Sequence, residues 1–316
     1  MVAGVSLSWG AATHVGMVRT VNEDALLCHP PLFVVADGMG GHAAGDVASS
    51  IVVEDFAETA GEPVLSGDQV LDCLRRVAER MIDAGSDDGE LAMGSTVTGL
   101  ALIDNGGRPS WLLFNVGDSR TYRLHRGVLE QLTHDHSMVQ ELVDSGEISA
   151  YEAADHPQRN IVTRALGVDD EVRPDLWVRS PSLGERFLLC TDGLHGEVPE
   201  DQLLAALVDV PDPQAAAEEL VRRSLDRGAR DNVTAVVVDV LAIGEATWGA
   251  EITAPRQEAI APTLGDDSSD VAVPITGLPG EVRVVVDDER AEAEVHDLIT
   301  GPPEWGEGSE HPEGES

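Results

Sequence analysis

The chain has 316 residues, with 58 acidic side chains against 20 basic ones and a formal net charge of −38. So anionic a chain argues against nucleic acid as the partner, because phosphate backbones are bound by cationic surfaces. Hydrophobic residues make up 42% of it, enough for a sizeable core, and its length allows one large domain or two.

Ser6–Val15 opens the chain as a strand-like stretch and is followed by GMVRTVNEDA, which carries Arg19 and the polar run Asn22-Glu23-Asp24. Cys28 follows, and with Cys73 and Cys190 it makes neither a disulfide framework nor a zinc pattern, which suits a reducing compartment. The apolar run Leu32–Ala36 ends in Asp37, and glycines follow at Gly38, Gly40, Gly41 and Gly45, with His42 among them. A short apolar run bounded by glycines reads as a buried strand. Ala43–Ala60 and Asp68–Ile82 carry apolar residues at helical spacing and read as two helices between strands.

Ser95–Ile103, Trp111–Val116 and Arg120–Arg126 read as three strands, the first two joined by an Asn105-Gly106-Gly107 turn. A short helix is expected from Asp135 to Val143, then an irregular surface flap over Ile148–Gly167. Strands at Trp177–Arg179 and Phe187–Cys190, helices at Asp201–Val208 and Pro213–Arg227, and a closing strand from Val233 complete the pattern. Strands and helices come in runs, so the expected class is α+β: a β-sandwich with helices on its outer faces. Beyond residue 242 there are 18 Asp/Glu against 3 Arg, prolines recur, and only Glu281–Val286 could form a strand. Residues 1–242 are therefore expected to form the domain, and residues 243–316 an acidic, disordered tail. No signal peptide opens the chain and no apolar run approaches the roughly 18 residues of a membrane span, so the expected location is the cytoplasm.

Three strands run into an aspartate and one starts from one: Asp37, Asp118 after Gly117, Asp192 after Thr191, and Asp231 before Asn232. Carboxylates converging at strand ends would form a site for a hard cation. Two other readings stand beside this one. Asp-Gly is a common turn dipeptide, so each aspartate taken alone fits a hairpin corner. Gly38-x-Gly40-x-x-Ala43 also resembles a dinucleotide fingerprint, with acids further on at Glu54, Asp55 and Glu58. That reading suffers from Asp37, which places a negative charge where pyrophosphate would approach, and from the missing βαβ repeat.

The motifs VRTVNED, ADGMGGHAAGD, NVGDSR, LTHDHSMVQELVDSGEI, HPQRNIVTRALG, LLCTDGL and ARDNVTAVVV occur in that order between about Gly10 and Val240. Together they resemble the metal-dependent protein phosphatases of the protein phosphatase 2C type in their bacterial Ser/Thr form. The resemblance implies two stacked antiparallel sheets flanked by helices, and hydrolysis of phosphoserine or phosphothreonine by direct attack of a metal-bridging hydroxide. It implies Mn²⁺ or Mg²⁺ as cofactor: two core ions and a third, weaker one. Asp37 would bridge the core ions, with the Gly38 carbonyl, Asp192 and Asp231 completing the protein ligands. Asp118 and Asn160 would join Asp192 at the third ion. Arg19 would grip the substrate phosphate and Asp24 would hold metal-bound waters.

His42 stands near the place where many eukaryotic relatives carry a histidine proposed as general acid; packing at the helix start is the competing reading. The implied partners are phosphorylated Ser/Thr proteins, among them Ser/Thr kinases and their targets, and the expected state is a monomer. Relatives of this fold also dephosphorylate proteins of the anti-anti-sigma factor type, and a degenerate member would be a binding module without activity.

Overall fold

The computed structural model describes residues 4–40, 44–60, 65–87, 93–168, 172–244 and 284–286. In chain order the strands are β1 (Val5–His14), β2 (Asp24–His29), β3 (Leu32–Gly40), β4 (Met93–Ser95), β5 (Val97–Asn105) and β6 (Arg108–Val116). They continue as β7 (Arg120–His125), β8 (Val128–Gln131), β9 (Asp175–Arg179), β10 (Arg186–Cys190), β11 (Val233–Ile243) and β12 (Val284–Val286). The helices are α1 (Ala44–Thr59), α2 (Gly67–Asp87), α3 (Met138–Asp144), α4 (Ala150–Ala153), α5 (Asp192–His195), α6 (Glu200–Asp209) and α7 (Pro213–Leu225).

The strands form two sheets. The first has the order β1-β11-β10-β7-β8, and the second β12-β9-β6-β5-β3-β2 with β4 on β3. Pairing is antiparallel except where β12 joins β9 in parallel at the edge of the second sheet. Three apolar layers hold these sheets together. Phe33, Val35, Leu100, Trp111 and Leu113 of the second sheet meet Phe187, Leu189, Val236 and Val238 of the first. Trp111 meets Phe187 across the sheets in an edge contact, with ring centroids 5.5 Å apart. On its outer face the second sheet packs Leu32, Val34 and Ala36 against α1 and α2. The first sheet packs Cys190, Ala235 and Val237 against α6 and α7. Both faces of β3 and β11 are thus covered, which is why these strands read as unbroken apolar runs and not as alternation.

The expected sandwich with outer helices is therefore present, in α-β-β-α layers. Several details differ from the expectation. β2 starts at the end of the polar run Asn22-Glu23-Asp24 and is a half-buried edge strand with a weak apolar signal. β8 was also missed, being four residues long and largely exposed on alternate positions. The Phe187 strand does not run straight into a carboxylate: Asp192 is the first residue of the short helix α5, with Thr191 as its N-cap. The flap contains one helical turn, α4, closed by a capping box between Ser149 and Glu152. The expected tail lies outside the described residues except for Ile243, which still belongs to β11 and pairs with Val5, Gly244, and β12, the last falling within the one segment expected to form a strand.

β12 adds three residues at a sheet edge, a contribution on the order of 1 kcal/mol. A chain ending at Gly244 keeps every other described element. It is expected to melt about 2–4 °C below the full chain, the shift that such a loss produces in a domain of this size. Thermal melting of the two proteins checks this, and a much larger loss would place part of the fold beyond residue 244.

Candidate metal centre at the sandwich rim

The site is built from both sheets and not from the edge of one. β3 of the second sheet carries Asp37, the loop crossing from β6 of the second sheet to β7 of the first carries Asp118, and Asp192 follows β10 and Asp231 precedes β11 of the first sheet. β2 adds Asp24, which stands directly opposite Asp37 in the antiparallel register. The charges of Asp24, Asp192, Asp118 and Asp231 all act on Asp37, so the five carboxylates share one rim.

Main-chain and hydroxyl contacts hold these carboxylates in place. The Asp37 N–H donates to Thr96 Oγ1 at 3.1 Å, and the Asp37 carbonyl accepts from the Thr96 N–H at 2.9 Å and from Ser95 Oγ at 3.1 Å. Asp24 Oδ2 accepts from Thr191 Oγ1 at 2.9 Å and from Thr234 Oγ1 at 2.7 Å, so a carboxylate of the second sheet is tied to the first. Asn232 stitches the N-terminal loop to the start of β11. Its amide donates to the Val15 and Val21 carbonyls, each at 2.9 Å, and its oxygen accepts from the Glu23 N–H at 2.8 Å. Gly38 allows this crowding, since a Cβ there would overlap the Gly45 carbonyl oxygen.

Burial and mutual repulsion raise the carboxylate pKa values. Burial, then Asp24, Asp192, Asp118 and Asp231, push Asp37 well above the usual range. Asp24 is raised to about 7, mainly by burial; its two threonine hydrogen bonds act downward and do not offset it. Burial with Asp192 and Asp135 takes Asp118 to about 8, and burial with Asp231 takes Asp192 to about 6. Asp24 Oδ1 and Asp192 Oδ1 are buried without a hydrogen-bond partner. An oxygen-only donor set whose members repel each other, with two orphaned acceptors, fits a hard divalent cation and not zinc. Among the described residues no three ligating side chains close into a ready-made cage. Mg²⁺-type ions need none, because they are held by one or two carboxylates and otherwise by water.

Arg19 sits over the rim. Its Nη2 donates to Asp231 Oδ2 at 2.7 Å, and Nη1 lies 3.9 Å from Glu23 Oε2. The guanidinium is half exposed, so this pair is worth on the order of 1 kcal/mol or less. A phosphate offering two charged acceptors can compete for it. Asn160 is exposed on the flap and lines a cavity of about 440 Å³ together with Asp118, Asp192 and His195. His42 lies outside the described residues. Sequence reasoning passed over Thr96, Thr191 and Thr234, which hold the aspartates. Their signal was position alone: Thr191 precedes Asp192 directly, and Thr234 lies two residues past Asn232.

Residues 18–241 match the family model described as protein phosphatase 2C. The chain belongs to the protein phosphatase 2C family. It is 41% identical over 239 residues to the serine/threonine protein phosphatase PstP of Mycobacterium tuberculosis, an alignment covering 74% of this chain and 45% of that protein. The chain thus spans less than half the length of that relative. The serine/threonine phosphatase stp of Listeria monocytogenes is 35% identical over 239 residues, with 72% of this chain and 93% of that one covered. The fold is similar to the catalytic domain of PstP solved in complex with two manganese ions, with a TM-score of 0.68 and 35% identity over 75% of this chain and 99% of that one.

The raised carboxylates carry a signature in the metal-free protein. Asp118 has a folded value of about 8 against 3.8 for the free side chain. An acid with a raised folded pKa favours the folded state at low pH, and that contribution is lost as pH rises through the folded value. Asp118→Asn is therefore expected to raise the melting temperature of EDTA-treated protein more at pH 8.5 than at pH 5. Equal changes at the two pH values would contradict it.

Proposed function

We propose that this chain is a metal-dependent phosphoprotein phosphatase that removes phosphate from phosphoserine and phosphothreonine. The observation that carries this reading is the rim itself: buried carboxylates from two sheets, two of their oxygens orphaned, beneath a half-exposed arginine. Family membership supports it, as does the manganese-bound PstP structure. In this reading Asp37 would hold the two core ions, with the Gly38 carbonyl, Asp192 and Asp231 as the further protein ligands. Asp118 and Asn160 join Asp192 at a third, weaker site, and Asp24 orients water through its unpartnered Oδ1. Mn²⁺ or Mg²⁺ held there supplies the positive charge that acidifies water and offsets the charge developing on the phosphoryl group.

Arg19 would exchange Asp231 for substrate phosphate, orienting it for in-line attack. The buried walls formed by β3 and β10 keep the carboxylates from relaxing away from that geometry. The substrates in this reading are phosphorylated Ser/Thr proteins, Ser/Thr kinases and their targets among them. All three cysteines are free thiols, which supports a reducing compartment such as the cytoplasm. No helix among the described residues is long and apolar enough to cross a membrane. A binding module without activity is not favoured, because every carboxylate the chemistry needs stands at the rim.

Hydrolysis of a phosphothreonine peptide tests the reading. Turnover should require added Mn²⁺ or Mg²⁺, and Asp37→Asn should lower kcat by roughly two orders of magnitude. Arg19→Ala should raise KM for the peptide about tenfold, as expected for one lost charge-assisted hydrogen bond. Full turnover in excess EDTA would overturn the proposal.

A further inference from the structure

Asp118 differs from the other rim carboxylates in its support. Like Asp192 and Asp231 it belongs to no strand, but it sits in the short connection from β6 of the second sheet to β7 of the first, preceded by Gly117 at φ +106°, where a Cβ would also run into the Thr96 side chain. Asp192 and Asp135 repel its carboxylate. A short turn under that load needs anchors, and the structure places an imidazole on each side of it.

On one side lies His136. Its Nδ1 accepts from the Gly117 N–H at 3.0 Å, and the His136 main-chain N–H donates to the Gly117 carbonyl at 2.9 Å. The proton of the neutral ring is therefore on Nε2, which lies 3.2 Å from Asp175 Oδ2. That nitrogen is buried without a well-formed hydrogen bond, and the His136 carbonyl accepts from the Thr163 N–H at 2.8 Å, so this anchor reaches the base of the flap through its main chain. On the other side lies His195, at the end of α5, the helix that Asp192 begins. Its Nε2 is 3.0 Å from the Asp118 carbonyl oxygen, and a carbonyl can only accept, so Nε2 carries the proton. His195 therefore spans from the main chain of Asp118 to the helix of Asp192, and all three residues line one cavity with Asn160.

We propose that His195 is a positioning residue for the outer cation site, holding Asp118 at a fixed spacing from Asp192 against their repulsion, with His136 as the fixed anchor opposite. This rests on the reading of Asp118 as a ligand of the weaker ion. His195 does not touch the reacting atoms. It acts through the Asp118 main chain, as groups behind a ligand commonly do, and removing such a partner typically costs about 10–100-fold in metal affinity. A cation at the outer site would relieve the repulsion that the hydrogen bond opposes, so the bond and the ion stabilise the same arrangement.

The test is a Mn²⁺ titration of the full chain, with free ion followed by electron paramagnetic resonance and folding followed by melting temperature. Asp118→Ala, His195→Asn and His195→Gln are compared with the unaltered protein. Gln places an N–H donor near the position of Nε2, whereas Asn falls short of it. Asp118→Ala and His195→Asn are expected to weaken the weakest Mn²⁺ site about tenfold or more, with tighter binding retained. His195→Gln is expected to stay close to the unaltered protein. Weak-site affinity unchanged in His195→Asn but lowered in Asp118→Ala would overturn the positioning role and leave the ligand reading standing. Affinity unchanged in Asp118→Ala would overturn the ligand reading and this inference with it. A His195→Gln variant that folds yet binds at the weak site no better than Asp118→Ala would also overturn it.

Discussion

Carboxylates brought together out of water repel one another, and at this rim two different sheets bring together Asp24, Asp37, Asp118 and Asp192 in that way, with the partly exposed Asp231 beside them. Burial and neighbouring charge raise Asp24, Asp37, Asp118 and Asp192 above the ordinary carboxylate range, in each case with burial as the largest cause. Such an arrangement costs stability at neutral pH unless positive charge enters it. Arg19 provides part of that charge through Asp231, but from a half-exposed position with little strength to the pair. The orphaned oxygens of Asp24 and Asp192 mark where more positive charge is wanted.

The sandwich keeps this arrangement from relaxing. Asp37 is held through its main chain by the Thr96 N–H and hydroxyl, and β3 is covered on both faces by apolar side chains. Asp24 is tied to the opposite sheet through Thr191 and Thr234, so separation of the sheets would break two hydrogen bonds to a buried acid. Interiors packed in this way transmit strain and do not absorb it, and the carboxylates stay close despite their repulsion. Asp118, in the bend that joins the two sheets, is held through its main-chain carbonyl by the His195 ring.

Much of this was legible in the sequence, for identifiable reasons. Leu32–Ala36 and Val233–Val238 announced buried strands because both of their faces are covered, and the aspartates at their ends announced the rim. The motif series announced the family. Two kinds of feature were hidden. β2 and β8 carry short or half-exposed patterns that a sheet completes but that no local periodicity reveals. The distribution of the aspartates over two sheets, and the threonines and Asn232 that hold them, depend on long-range pairing between residues 59 to 217 positions apart, as between Asp37 and Thr96 or Asp24 and Thr234. Spacing along the chain carries no trace of that.

The central claim is that the rim exists to hold divalent cations against Asp37. Anomalous diffraction from crystals of this protein grown with Mn²⁺ tests it most directly. The account predicts strong anomalous peaks within coordination distance of the Asp37 carboxylate, flanked by Asp192 and Asp231. Mn²⁺-saturated crystals with no peak at Asp37, and with Arg19 still paired to Asp231 across an ion-free rim, would contradict it.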